Sequence, residues 1–154
     1  RNTIARCNAL IDDALAKGAR LLTGGKANDT HMSPTLLDGV TREMRLWREE
    51  SFGPVKAIIR VHSEEEALAV ANDSEYGLSA AVYSRDSARA WNVAQRLHTG
   101  ICHINGPTVH DEAQMPFGGC KASGYGRFGG RAGIAEFTEL RGITIQTQPR
   151  ELPF

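Results

Sequence analysis

The stretch Val55 to Ile104 decides the fold. Val55-Lys56-Ala57-Ile58-Ile59-Arg60-Val61 is a short apolar run rich in β-branched residues, Leu78-Ser79-Ala80-Ala81-Val82-Tyr83 is a second, and Ile101-Cys102-His103-Ile104 is a third. Between the first two, Ser63 stands three residues before Glu66, the capping-box spacing, and Ala67, Leu68, Val70 and Ala71 follow as the apolar face of a helix. Between the last two, Ser84 or Asp86 caps a helix with Ala90, Val93, Ala94 and Leu97 on one stripe, and Gly100 leads into the third run. A strand-helix-strand-helix-strand series with short connections predicts a βαβαβ core, an α/β three-layer arrangement around a parallel sheet with right-handed crossovers. Ligands of such sheets lie beyond the carboxyl ends of the strands.

Upstream, Ile4, Cys7, Ile11, Ala14 and Leu15 recur at helical spacing, and Gly18 is the residue that commonly ends a helix. Arg20 to Thr23 and Thr35 to Leu37 read as short strands. The first residue is Arg1, inside what reads as a running helix without a cap, so the chain is expected to be cut from something longer. Downstream the periodicity stops at Asn105. Gly106 to Gly130 reads as one long loop, the kind that is usually functional or disordered, and its Phe and Tyr residues argue against disorder. A short helix is expected around Ala132 to Phe137, and Gly142-Ile143-Thr144-Ile145-Gln146-Thr147 alternates as a half-exposed strand.

Composition narrows the partners. The 154 residues balance 18 Lys and Arg against 18 Asp and Glu, so the basic excess needed to hold nucleic acid or an anionic membrane is missing overall. No run approaches the roughly 20 apolar residues of a membrane span. Cys7, Cys102 and Cys120 are odd in number, far apart and without zinc-ligand spacing, which predicts reduced thiols, a cytoplasmic setting and no metal. His98, His103 and His110 match no metal motif and read as structural.

Two local patterns carry possible chemistry. Gly124-Tyr125-Gly126-Arg127-Phe128-Gly129 spells the dinucleotide fingerprint, but no hydrophobic strand precedes it and no acid follows about 20 residues on, so the expected role is a backbone-dense loop. Glu49-Glu50-Ser51-Phe52-Gly53-Pro54 places two carboxylates and an aromatic at a turn. A carboxylate with free acceptor oxygens suits a ribose diol and the Phe suits a planar ring, although composition alone favours a merely solvated turn.

Four motifs, in order, then carry a resemblance: Glu49 to Val55, Asn72-Asp73-Ser74-Glu75-Tyr76-Gly77-Leu78 onward to Ala81, Gly100 to Asn105, and Pro116-Phe117-Gly118-Gly119-Cys120-Lys121-Ala122-Ser123-Gly124. Together they resemble the carboxyl-terminal portion of NAD(P)-dependent aldehyde dehydrogenases over essentially the whole chain. Gly106 to Phe117 and Gly126 to Gly130 are most similar to the aromatic-aldehyde members, of the vanillin, salicylaldehyde and benzaldehyde dehydrogenase type.

The resemblance implies a mechanism in which a cysteine thiolate attacks the aldehyde, hydride passes to the nicotinamide, and water activated by a glutamate hydrolyses the thioester. None of the three cysteines here has the Gly-Gln-x-Cys context of that nucleophile, so the resemblance implies no catalytic residue in this chain and predicts that the 154 residues alone are inactive. It implies Glu50 and Phe52 as cofactor-binding residues for NAD or NADP, and Phe117, Val109, His110 and Met115 as walls of the funnel for a small-molecule aldehyde.

Phe128 stands where many relatives carry Glu, so no role of that acid transfers to it. Residues 1–137 are then the carboxyl-terminal part of the catalytic domain. Residues 138–154, with Glu139 to Thr147 as an oligomerisation strand, imply a homo-oligomer. The competing reading is a catalytically silent α/β binding or assembly module.

Overall fold

The first helix, α1 (Asn2–Ala16), forms because its apolar stripe has something to lie on: Cys7, Leu10, Ile11 and Ala14 are wholly buried. Gly18, at φ 97°, takes the left-handed turn that releases the chain into β1 (Arg20–Thr23). β1 pairs antiparallel with β2 (Thr35–Asp38), and β2 pairs parallel with β3 (Val55–Ile58), in the order β1-β2-β3. Leu37 and Val55 from this sheet join the α1 residues, Val40, Met44 and Leu46 in one core. Helix α2 (Glu64–Asn72) follows. The Ser63 hydroxyl accepts from the Glu66 amide at 3.1 Å, and the Glu66 carboxylate reaches back to the His62 amide at 2.7 Å.

The computed structural model describes residues 2–151, and the chain forms two compact units, Arg1–Ser74 and Glu75–Phe154. The expected helical placement of Arg1, and the last three residues of the expected tail, lie outside the described residues.

In the second unit β4 (Tyr76–Gly77) is followed by β5 (Ser79–Val82), α3 (Ser87–Ala94) and β6 (Ile101–Ile104). β5 and β6 pair in parallel across the α3 crossover, the βαβ connection expected from the sequence. Asp86 is the cap of α3, accepting from the Arg89 amide at 3.0 Å, while Ser84 Oγ accepts from the Asp86 amide. β4 pairs antiparallel with β7 (Cys120–Lys121), and α4 (Gly130–Glu136) closes the regular structure.

The mixed α/β class is as expected, with one difference in strand pairing. The three runs of the deciding stretch do not share one ladder. β3 finds its partner in β2, whereas β5 pairs with β6. The local pattern marks both Thr35–Leu37 and Val55–Val61 as strands, but which strands become neighbours is decided by packing between separate segments, so the pattern does not pair them. The Gly142–Thr147 alternation forms no ladder within the described chain, and Ile143 and Ile145 are exposed.

Candidate functional site: an acidic turn and a loop beyond the strands

In the first unit a one-turn helix, Arg45–Trp47, tucks Leu46 into the core and delivers the acidic pair. Glu49 is already engaged. Arg45 grips it with Nε to Oε1 at 2.6 Å and Nη2 to Oε2 at 2.8 Å, and that guanidinium holds the Glu49 carboxyl below the usual carboxylate range. Glu50 is exposed and makes no hydrogen bond or ion pair with any described residue, so of the two acids it alone keeps all its acceptor sites for an outside donor.

The rest of the turn is tied to the core. The Ser51 carbonyl accepts from Arg6 Nη2 at 2.9 Å and from the Cys7 thiol at 3.4 Å, both on α1. The Ser51 hydroxyl faces the Gly53 and Val55 carbonyls, and the Val55 amide donates to the Gly53 carbonyl at 2.8 Å. A Cβ on Gly53 would stand 2.5 Å from Cys7 Sγ, so only glycine lets the turn lie this close to the helix.

Phe52, between these fixed points, is held at φ 49°, a left-handed backbone that a bulky residue adopts only at a cost. Its ring is 73% exposed, with the Arg6 guanidinium 5.8 Å from the ring centroid. An unengaged carboxylate beside an outward-facing ring fits a ribose diol with an adjoining planar base, the pair of groups a nicotinamide nucleoside presents.

In the second unit the chain leaves β6 at Asn105 and runs through residues 106–116 before Phe117. Phe117 and Phe128 exchange backbone hydrogen bonds at 2.8 and 2.7 Å, which fixes the end of the loop. A cavity of about 210 Å³ lies between the loop, through His110, Met115 and Pro116, and β6, through Ile101, Cys102 and His103. Two of the four expected funnel residues, His110 and Met115, therefore share one cavity. Val109 points into solvent at 92% exposure, and Phe117 is half-buried outside that lining.

Sequence reasoning passed over His103 as a structural residue. Its ring meets His110 edge to face, centroids 5.8 Å apart, and its Nε2 is buried with no partner among the described residues. Nothing in the spacing of the two histidines announces that meeting, which the loop creates by folding back.

The remaining candidates have structural explanations. Cys7 is buried under the acidic turn, Cys120 Sγ donates to the His98 carbonyl at 3.2 Å, and burial pushes the Cys102 thiol up. Within the fingerprint-like Gly124–Gly129, the Arg127 guanidinium donates to the Gly119 and Gly126 carbonyls at 2.8 and 2.7 Å. Glu136 accepts from the Arg127 amide at 3.2 Å, and a Cβ on Gly126 would stand 2.6 Å from that carboxylate. Gly126 and Gly129 make room there for the Glu136 carboxylate and the Met115 carbonyl, and Phe128 contributes its backbone to the pair with Phe117.

The model of the aldehyde dehydrogenase family matches residues 1–143, and the chain belongs to that family. It is 64% identical to a vanillin dehydrogenase of Pseudomonas fluorescens over 148 residues, which are 96% of this chain and 31% of that protein. Among solved structures it resembles a salicylaldehyde dehydrogenase of Pseudomonas putida G7 complexed with salicylaldehyde, with a TM-score of 0.93 and 49% identity over 99% of this chain and 32% of that one. It also resembles a Mycobacterium tuberculosis aldehyde dehydrogenase complexed with NAD+, with a TM-score of 0.82 and 35% identity over 94% of this chain and 32% of that one. The chain thus spans about a third of the length of these relatives.

Proposed function

We propose that this chain supplies the carboxyl-terminal part of the catalytic domain of an NAD(P)-dependent aldehyde dehydrogenase that oxidises an aromatic aldehyde to its carboxylic acid. The observation that carries the reading is the acidic turn, with Glu49 held by Arg45, Glu50 unengaged among the described residues and Phe52 facing outward. The dinucleotide, when bound, supplies the hydride acceptor. Glu50 then accepts from the two hydroxyls of the nicotinamide ribose, and Phe52 limits the freedom of the ring beside it.

The loop of residues 105–117 forms one wall for the aldehyde, with His110, Met115, Phe117 and Val109 as its side chains. Met115 and the apolar edge of the β6 cavity suit a flat aromatic body. The vanillin and salicylaldehyde dehydrogenases among the relatives support the aromatic class. The nucleophile and the general base are assigned to sequence other than these 154 residues.

Residues 138–154 are assigned to oligomerisation, with Glu139 to Thr147 adding to a sheet edge of a second copy. Leu140, Ile143 and Ile145, exposed along this segment, support that role. Three free thiols support a reducing cytoplasmic setting, and no helix among the described residues is long and apolar enough to cross a membrane.

The test is NAD(P)H formation with vanillin, measured for a protein of the relatives' full length that carries this chain and for the 154 residues alone. Turnover by the longer protein and none by the shorter is the expected result. Turnover by the 154 residues would refute the placement of the nucleophile, and none by either would refute the activity.

A further inference from the structure

The last rung of the β5–β6 ladder is made by a side chain. The Asn105 amide donates to the Val82 carbonyl at 2.8 Å, as a ladder residue should. One step further along, the Ser84 amide donates to Asn105 Oδ1 at 2.9 Å and Asn105 Nδ2 donates to the Ser84 carbonyl at 3.0 Å. A carboxamide carries the same donor and acceptor as a peptide group, so this pair reproduces a rung of the sheet without any backbone behind it.

The backbone has meanwhile turned away. Asn105 stands at φ 57°, the left-handed region that Asn tolerates better than most side chains. One residue therefore ends the strand, redirects the chain into residues 106–116, and fastens the redirected end to a fixed point. Ser84 is such a point: its hydroxyl accepts from the Asp86 amide at 3.1 Å, and Asp86 caps α3. Farther along, Ser79 Oγ donates to the Thr108 carbonyl at 3.0 Å, a second tie from β5 to the same loop.

We propose that Asn105 is a positioning residue for the aldehyde site. Its clasp on Ser84 sets where the loop stands, and hence where His110 and Met115 meet β6, which selects for an aldehyde broad enough to need that wall. The inference rests on the proposed function of the loop. Its chemistry is specific to Asn: Gly suits the backbone but has no clasp, and Asp keeps one acceptor while setting a second oxygen against the Ser84 carbonyl.

The experiment compares Asn105→Gly and Asn105→Asp with the parent, in a protein of the relatives' full length. Steady-state kinetics use vanillin and acetaldehyde, and amide hydrogen exchange is followed over residues 106–116. Loss of the paired hydrogen bonds is expected to raise KM for vanillin roughly tenfold and speed exchange in the loop by a similar factor. KM for acetaldehyde and for the dinucleotide should change less than about twofold, since neither depends on the far wall.

Unchanged exchange and unchanged vanillin KM in both variants would overturn the inference, as would equal shifts for both aldehydes accompanied by a lowered Tm. If Asn105→Asp does not fold, Asn105→Gly decides alone, because it suits the left-handed backbone and removes only the clasp. A parent protein without aldehyde oxidation overturns the proposed function instead, and the exchange comparison still reads the clasp.

Discussion

The acidic turn and the loop after β6 are both held in left-handed backbone by a residue other than glycine, yet by different means. Phe52 is flanked by contacts to a dry core, where Cys7, Leu10, Ile11, Leu37 and Val55 are almost wholly buried. Asn105 is held by exposed hydrogen bonds in a unit where, among the described residues after Ser74, Ala90 is the only buried hydrophobic side chain. Packing is cooperative and hydrogen bonds at the surface are individually weak. The turn therefore resists change until the core is damaged, whereas the loop is adjustable by single substitutions.

The comparison breaks most readily at the cores. Leu10→Ala in the first unit should cost about 2–5 kcal/mol, through lost burial and a cavity. Ile134→Ala, on a side chain 66% exposed, should stay within roughly 0.5 kcal/mol. Urea unfolding of both variants measures the contrast, and equal losses would remove it.

A smaller effect tests the close approach of turn and helix. Gly53→Ala drives a Cβ toward Cys7 Sγ and should cost about 1–3 kcal/mol. Cys7→Ala makes room, so Gly53→Ala should cost less in a Cys7→Ala background than in the parent, as a double-mutant cycle would record.

Acid sharpens the comparison in another way. Asp38, at the end of β2, accepts from Arg60 at 2.7 and 3.0 Å and from Arg20 at 2.9 Å. These bonds, Arg60 first, hold its carboxyl below the ordinary value near 3.8. A carboxyl whose folded pKa is lowered stabilises the fold above the unfolded value, and that contribution disappears as pH falls through the folded one. The urea midpoint of the parent should therefore drop on acidification below about pH 4, and Asp38→Asn should drop less over the same range. Parallel pH profiles would contradict the role of the pair.

The smallest effects lie at the helix caps. Ser63→Ala should cost about 1 kcal/mol by freeing the Glu66 amide, and Asp86→Ala a similar amount by freeing that of Arg89, both read from thermal unfolding.

These caps were also the most legible features of the sequence. Short-range signals sufficed for α1 with its Gly18 stop, for Ser63, and for β1 and β6, whose limits match the structure. What needed three dimensions was less visible. The pairing of β3 with β2 depends on a distant four-residue segment, and the Phe117–Phe128 pair lies within a glycine-rich loop without periodicity.

Of the proposed site, Glu50 and Phe52 are named through resemblance alone, whereas the reason Glu50 is the unengaged acid is Arg45 gripping Glu49, four residues apart. That spacing was present in the sequence as a signal. The meeting of His103 with His110 and the Asn105 clasp were not, because each depends on where the chain turns after β6.

Glu50 bears the central claim most directly, and single-turnover hydride transfer from vanillin to NAD+ tests it, in a protein of the relatives' full length with and without Glu50→Gln. A neutral amide holds the ribose hydroxyls less firmly, so hydride transfer should slow by about 10²-fold with thermal stability unchanged. Equal rates in the two proteins would contradict the account.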